Sequence, residues 1–354
     1  MLANAASPPS RLPETDCLMT APLSAPPDPA EQWKHWPHCW YVVAGSNHIR
    51  CGGVINGHLG GRPWVLYRGE DGVLRATDAF CPHMGAHLQH SRVAGNDLLC
   101  GLHACRITPE AEPTPANTSI QAGCRLAARS WPCREYCGLV WLHPPAEQPP
   151  PPPFAEAEAA HHWQTAGPER IAADWRAMIC NGYDLGHMVA VHQREVVGEP
   201  VFDTLPDHTL KMTYRTRVLP RGGLSSWLMQ KLSGGCIDLI HTCAGTAIRV
   251  ESRVGPFRTT GIFALYPQDL PDTPPEARQT LAFAAVGIPR GARFGRMQLW
   301  LARSLYLAFL KKDFVVVERM RLKLAGITDP GVCAISAYQA TLAAMETETE
   351  PPPS

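Results

Sequence analysis

Two short loops carry the residue types best suited to metal chemistry, Cys81-Pro-His83-Met-Gly-Ala86 and Cys100-Gly-Leu-His103, with sixteen residues between His83 and Cys100. Each loop offers one thiolate and one imidazole, two or three residues apart. Two sulfur and two nitrogen ligands suit a tetrahedral zinc ion. Zinc fingers, however, pair Cys with Cys and His with His along the chain. Here each loop instead carries one of each, C-x-H and then C-x₂-H, an order that does not suit a finger. A second constellation lies in Trp175 to Pro200, where Asn181, Asp184 and His187 are spaced three apart. On a helix at about 100° per residue these three share one row. His192 stands five residues beyond His187, an offset of about 140° on a regular helix, so the two imidazoles converge only if the helix ends or bulges between them. Two histidines and one carboxylate with open coordination positions make the facial set of mononuclear non-haem Fe(II).

The carboxylate of such a set must come from elsewhere. After His192 the aspartates are Asp203, Asp207, Asp238, Asp269, Asp272, Asp313 and Asp329. Asp269 and Asp272 fall in a proline-rich turn and Asp238 in a predicted strand. Met297 to Leu324 reads as one long helix whose apolar stripe is Tyr306, Phe309, Leu310, Phe314, Val317 and Met320, and Asp313 lies within that stripe. A carboxylate buried there is costly unless paired or metal-bound, so Asp313 is the favoured third ligand; an ion pair with Arg319 or a lysine is the other use for it. His87 and His90 follow the first loop and are read as surface or supporting residues. Cys105, Cys124, Cys133 and Cys137 lack C-x₂-C spacing and read as packed free thiols.

The elements that must hold these residues are legible in the apolar pattern. Short apolar runs with Gly and Asn turns, Cys39 to Ala44, Trp64 to Tyr67, Val73 to Thr77 and Leu98 to Leu102, give small all-β spacing around the two loops. Further runs, Leu210 to Val218, Cys236 to His241, Thr246 to Val254, Gly261 to Tyr266 and Thr280 to Gly287, predict an antiparallel sheet flanked by helices. Much of the 35 prolines of this 354-residue chain sits near the N-terminus, in Pro144 to Pro153 and at the C-terminus. Such runs read as disordered arms or a polyproline spacer. The division predicted is a proline-rich arm over 1–30, a first domain over 31–145, a spacer over 146–153, a second domain over 154–345 and a tail over 346–354.

Charge argues against polyanion partners. Lys+Arg 32 balance Asp+Glu 32, and charged residues are only 18% of the chain, so neither nucleic acid nor a polybasic membrane patch is indicated. No signal peptide and no membrane span is read, since Leu299 to Leu310 is interrupted by Arg303 and is shorter than the roughly 20 residues a bilayer needs. A cytoplasmic location is expected, in which the 13 cysteines stay reduced.

Taken together, the loops and the N-x₂-D-x₂-H-x₄-H segment about 80 residues later resemble the Rieske non-haem iron oxygenases, over about residues 35–345. The positions where respiratory Rieske proteins carry a loop-linking disulfide hold Ala86 and Leu102, so the oxygenase type is the better match. His103-Ala-Cys-Arg106 and Tyr136-Cys-Gly-Leu-Val-Trp141 are similar to the strands that close the oxygenase domain. The resemblance is nearest in kind to ketosteroid hydroxylases and O-demethylases. It implies an α+β chain: an N-terminal all-β Rieske [2Fe–2S] domain with ligands Cys81, His83, Cys100 and His103, then a helix-grip catalytic domain with mononuclear Fe(II) on His187, His192 and Asp313. It further implies a head-to-tail homotrimer in which Asp184 bridges an iron histidine and a cluster histidine, assigned to His103, of the neighbouring subunit, with Asn181 in support.

The activity so implied is O₂-dependent hydroxylation, dealkylation, desaturation or a related oxidation of a small, largely apolar, ring-containing organic substrate. Electrons would come from a separate NAD(P)H-dependent reductase, with or without a ferredoxin, because the chain has neither a G-x-G-x-x-G fingerprint after a strand nor a plant-type ferredoxin cysteine run. Trp227, Leu228, Met229 and Phe263 are candidate cavity residues, core packing being the other use for each. Two departures, His103-Ala-Cys and the proline-rich insertion around Glu110 to Ala116, mark a divergent branch. The competing readings are a Rieske electron carrier or redox sensor without oxygenase activity, and a zinc-binding adaptor.

Overall fold

The computed structural model describes residues 36–110, 124–219, 227, 230, 231, 233–270 and 272–345. The proline-rich arm, the tail, most of the insertion after Glu110, and Leu228 and Met229 lie outside the described residues.

Ten short strands build the N-terminal part: β1 (Tyr41–Gly45), β2 (Val54–Leu59), β3 (Arg62–Arg68), β4 (Leu74–Asp78), β5 (Arg92–Ala94), β6 (Asp97–Leu99), β7 (Arg106–Glu110), β8 (Arg125–Arg129), β9 (Cys133–Tyr136) and β10 (Leu139–Leu142). They form three small sheets of order β1-β10-β9, β2-β3-β4 and β5-β6-β7-β8. The first metal-type loop joins β4 to β5 and the second joins β6 to β7. Beneath both loops lies a small apolar core of its own, including Val65, Tyr67, Leu88, Leu98, Ile107 and Leu126. Residues of β1 and β10, by contrast, share one continuous core with the C-terminal part.

The C-terminal part is one antiparallel sheet: β11 (His161–Ile171), β12 (Arg194–Thr204), β13 (Leu210–Val218), β14 (Cys236–Ala244), β15 (Ala247–Val254), β16 (Phe257–Pro267) and β17 (Thr280–Pro289), in the order β11-β17-β16-β15-β14-β13-β12. The predicted strands are present, and β11 and β12 are additions to them. Both are edge strands, and both contain a proline at a register shift, Pro168 between Ala166 and Glu169 and Pro200 between Val197 and Val201. Edge strands and bulges tolerate proline because no inward ladder bond is lost there.

This order forces the chain to cross the sheet twice. β11 lies at one edge and β12 at the other, so the connection between them must traverse about 30 Å of sheet at roughly 4.8 Å per strand. Helices α1 (Trp175–Tyr183) and α2 (His187–His192) make that crossing. Ala173, just before α1, accepts a hydrogen bond from the Thr280 hydroxyl of β17 at 2.8 Å, and Tyr183 at its end donates to the Leu210 carbonyl of β13 at 2.8 Å. After β17, helix α3 (Gly295–Val317) runs back across the same face, and α4 (Pro330–Thr341) packs on α1. The α1–α4 contact is close enough that a Cβ on Gly331 would lie 1.9 Å from the Tyr183 carbonyl oxygen.

Two sequence expectations are corrected. The helical pattern read as far as Leu324 stops at Val317: Glu318 leaves helical geometry, Arg319 has φ 56°, and the Arg319 amide donates to the Ala172 carbonyl at 2.6 Å. The proline-rich spacer is not a free strap. Trp40 Nε1 donates to the Pro150 carbonyl at 2.9 Å and the Tyr136 hydroxyl to that of Pro153 at 2.8 Å, fastening it along the N-terminal part.

Candidate metal centres and active site

The two Cys/His loops have the same internal construction. Gly85 N–H donates to the Cys81 carbonyl at 2.9 Å, and Ala104 N–H donates to the Cys100 carbonyl at 2.9 Å. Each cysteine N–H then donates across its loop, Cys81 to Ala86 and Cys100 to Cys105, again at 2.9 Å. Both closures need a left-handed residue, and Gly85 (φ 72°) and Ala104 (φ 56°) supply it. The result is two matched claws. Their histidines face one another, with the rings of His83 and His103 4.7 Å apart. Cys81 and Cys100 are each only 4% exposed, whereas His103 is exposed.

These residues fit a [2Fe–2S] cluster on two grounds. Burial pushes the Cys81 thiol up, with neighbouring Cys100 adding to the effect, so two bare thiolates are unfavourable there and a bound cation relieves the cost. His83 Nδ1 is buried with no hydrogen-bond partner, which is costly for a polar atom left without a ligand. His87 and His90 serve the turn beside the first loop: His87 Nδ1 accepts from the Gln89 amide at 3.1 Å, and His90 contacts the Gln89 side chain at 3.0 Å. The cysteines among the described residues are all free thiols.

On the large sheet, α1 and α2 carry the second constellation. Asp174 caps α1, its Oδ1 accepting from the Arg176 amide at 2.7 Å, while its other oxygen meets buried Arg278 at 2.5 Å. The single helical row expected of Asn181, Asp184 and His187 is not what forms. Asp184 has extended backbone (φ −68°, ψ 111°) and ends α1. Its Oδ1 accepts from the Gly186 amide at 2.8 Å and the His187 amide at 3.3 Å, and so starts α2. An aspartate side chain competing for backbone donors in this way is a common helix breaker. The break re-aims His187, and α2 ends at once after His192, where Gln193 turns left-handed at φ 55°. This meets the geometric demand on the two imidazoles, whose rings lie 5.1 Å apart.

Asp313, on α3, completes the group. Its Oδ1 lies 2.7 Å from His192 Nε2 and 3.5 Å from His187 Nε2. One ligand atom from each of His187, His192 and Asp313 falls within 4.8 Å of the others. Burial pushes the Asp313 carboxyl up, but the two imidazoles outweigh it and hold the group below its usual range. Burial lowers His192, while for His187 the opposing pull of Asp313 prevails and raises it. Both ring nitrogens of His187 are buried without a hydrogen-bond partner in good geometry, a cost that a bound cation would relieve. Five of the six other aspartates after His192 are engaged elsewhere: Asp203 with Lys211 at 3.8 Å, Asp238 with Arg215 at 2.6 Å, Asp207 with the Thr209 hydroxyl at 2.7 Å, Asp269 with the Gln279 amide, and Asp329 as the cap of α4. Asp184 Oδ2 lies 3.8 Å from His187 Nδ1, on the far side of that ring.

A cavity of about 630 Å³ opens on this triad between the sheet and α3. Met178, Ile248, Phe263, Leu305, Phe309 and Phe314 give it an apolar wall. Phe263 therefore lies where expected, whereas Trp227 is 55% exposed and is not among the lining residues. Sequence reasoning missed the polar lining. His241 is neutral, pushed by burial to a pKa of about 4. Its Nδ1 donates to the Gly182 carbonyl at 3.0 Å, which leaves Nε2 to accept from the Tyr214 hydroxyl at 3.1 Å. Phe309 stacks on His192 with ring centroids 3.6 Å apart, and the Arg194 guanidinium lies over the Phe309 ring, 5.0 Å from its centroid.

Comparison with known proteins decides the first domain. The family profile described as the Rieske [2Fe-2S] domain matches residues 39–121. Residues 39–121 are a Rieske domain. The chain is similar to cholesterol 7-desaturase nvd of Bombyx mori, 28% identical over 168 residues, which is 46% of this chain and 37% of that one. It is also similar to the vanillate O-demethylase oxygenase subunit of a Pseudomonas strain, 29% identical over 185 residues, 49% of each chain. The chain thus spans about half or less of the length of these relatives. Among solved structures, dicamba monooxygenase bound to dicamba superposes with a TM-score of 0.63 at 22% identity, covering 86% of this chain and 97% of that one. Pseudomonas putida CBB5 NdmA with caffeine gives 0.64 at 17% identity, covering 88% and 90%. The chain has the Rieske oxygenase fold, a Rieske β-domain followed by a large antiparallel sheet with few helices, and is a relative of Rieske oxygenase subunits. Among the described residues no helix is long and apolar enough to cross a membrane.

Proposed function

We propose that the protein is the terminal component of a Rieske oxygenase system, with residues 31–145 as the cluster domain, 146–153 as the spacer and 154–345 as the mononuclear iron domain. The observation that carries this reading is the convergence, across 121 residues of sequence, of Asp313 on His192 at an apolar cavity. An electron carrier has no use for such a cavity against a facial ligand set. Cys81, His83, Cys100 and His103 would hold the [2Fe–2S] cluster, and His187, His192 and Asp313 the Fe(II). When bound, these groups supply electrons one at a time and an open position at which O₂ is taken up.

The remaining roles belong to the chain. The cavity wall binds a largely apolar, ring-bearing compound and excludes water from the triad. Asn181 lines the cavity beside the triad. Asp184 orients His187 and, in a head-to-tail homotrimer, bridges it to the partner subunit's His103. The partial exposure of Asp184 and its distance of 3.8 Å from His187 Nδ1 support this role, since carboxylates commonly orient ligand imidazoles. Exposed Phe80, Met84 and Leu102 around the cluster loops offer a contact surface for an electron donor in a thiol-reducing, cytoplasmic setting. That donor is a separate NAD(P)H-dependent reductase, with or without a ferredoxin; the oxygenase of carbazole 1,9a-dioxygenase forms a complex with ferredoxin. Hydroxylation, demethylation and desaturation are all within reach of this arrangement, as the names of its relatives illustrate.

Iron and acid-labile sulfide analysis of purified protein tests the reading. An oxygenase component has three irons and two sulfides per chain and consumes O₂ when reductase, NAD(P)H and one of a panel of aromatic, steroid and alkaloid-like compounds are supplied. Two irons per two sulfides, with no substrate-dependent O₂ uptake, would return the protein to the class of electron carriers. Colourless protein without sulfide would make it a zinc protein.

A further inference from the structure

We infer that the compound bound in the cavity is an organic anion, a carboxylate on an apolar body, and that Arg194 is the residue that selects it. The inference rests on the reading of the cavity as the substrate site and narrows it, since an apolar wall alone would suit a neutral hydrocarbon skeleton. The charged residues lining the cavity are Arg194, Lys312 and Asp313, with the triad histidines. Asp313 is committed to the two imidazoles at 2.7 and 3.5 Å. Lys312 is exposed and keeps its charge in water. Arg194 is only partly exposed, and among the described residues its guanidinium has no hydrogen bond or ion pair. Its one contact of note is the face of Phe309, 5.0 Å from the ring centroid.

A guanidinium partly withdrawn from water and without an ion pair carries a cost, and stacking on an aromatic ring offsets only part of it. Its fork of donors matches a carboxylate in two-point geometry. A second donor beside it would strengthen the match, but the Tyr306 hydroxyl, one helical turn before Phe309 on α3, is buried and lies toward Gly261 of β16. Tyr214 cannot play that part, because its proton is given to His241 Nε2. The unpaired charge on the cavity wall is thus a donor, the Arg194 guanidinium, and it calls for an anionic acceptor on the ligand. The position of Arg194, two residues after His192 and stacked on the ring that covers it, sets the carboxylate near the triad end, with the apolar body extending along α3 toward Trp300 and Met297.

Equilibrium binding tests this on holoprotein with two matched pairs, biphenyl-4-carboxylate and deoxycholate, each against its methyl ester. The wild-type protein should bind at least one acid about tenfold or more tightly than its ester. Arg194→Gln should bring that pair to within about twofold by weakening the acid alone, with cluster absorbance and melting temperature unchanged. Arg194→Lys should keep part of the preference. Absence of any acid preference in both pairs overturns the inference, as does a preference that survives Arg194→Gln. The wild-type pairs decide the matter even if a variant fails to fold. Because binding is read without turnover, an acid preference together with two irons per chain and no O₂ uptake would refute the oxygenase reading and leave the anion site standing.

Discussion

Asp313 Oδ1 sits 2.7 Å from His192 Nε2 although the two residues are 121 apart in sequence. The strand order makes this contact: one helical crossing of the sheet delivers the histidine from β11 toward β12, and the return crossing by α3 delivers the aspartate. Asp313→Ala should therefore remove the mononuclear iron and spare the cluster. The iron content is expected to fall by one per chain with the visible spectrum of the Rieske centre unchanged, and substrate-dependent O₂ uptake should vanish. Full iron retention would mean that another carboxylate is the ligand.

Asp184 does two things that a single substitution can separate. Its Oδ1 starts α2 through the Gly186 and His187 amides, and its Oδ2 faces His187 Nδ1. Asparagine keeps the oxygen that starts the helix and removes the charge. Asp184→Asn should keep both metals and the melting temperature yet lower coupled turnover by about 10–100-fold, the range found when partners of metal ligands are lost. Wild-type turnover with normal metal content would confine Asp184 to the helix start.

His143 is fully buried, with its ring 4.7 Å from that of His38, and burial lowers its pKa from 6.5 to about 4. Between those values the unfolded chain binds a proton here that the folded chain does not. Stability contributed at this site is complete above pH 6.5 and is lost as pH falls toward 4, by something on the order of 3 kcal/mol. His143→Gln should flatten the decline in melting temperature between pH 6.5 and 4. An unchanged slope would assign acid sensitivity to other groups.

Ala104 occupies a left-handed position, φ 56°, that its counterpart Gly85 fills without strain. Ala104→Gly should stabilise the second loop by about 1 kcal/mol, the cost of a side chain in that region net of the extra freedom of glycine in the unfolded chain. Cluster absorbance followed during heating should be lost at a higher temperature in the variant. Gly85→Ala should move it the other way.

How much of this was legible in sequence depends on whether the signal was local. The Cys/His loops were, because their ligands lie within three residues of each other, and β13 matches its alternating run at both ends, Leu210 and Val218. Asp313 was legible as a charge inside an apolar stripe. The break at Asp184 was hidden, since three-residue spacing reads as one helix until the side chain is seen taking the Gly186 and His187 amides. Pro168 and Pro200 hid β11 and β12, because a proline argues against a strand unless the strand is known to lie at an edge. Arg194, Tyr214 and His241 gave no sign of a place in the cavity. Each is ordinary in its own segment and acquires meaning only from the groups packed opposite it.

The small core beneath the cluster loops, separate from the continuous core that joins β1 and β10 to the large sheet, sets where the molecule comes apart. Regions that share few apolar contacts with the rest open first and as units. The proline-rich midpoint, which looks like a hinge in the sequence, is pinned by Trp40 and Tyr136 and is a poor place to part. The line of weakness runs instead through the Rieske domain itself, between its claws and its base. A metal lost from the claws would then be a local event, with the cavity and its triad left assembled behind it.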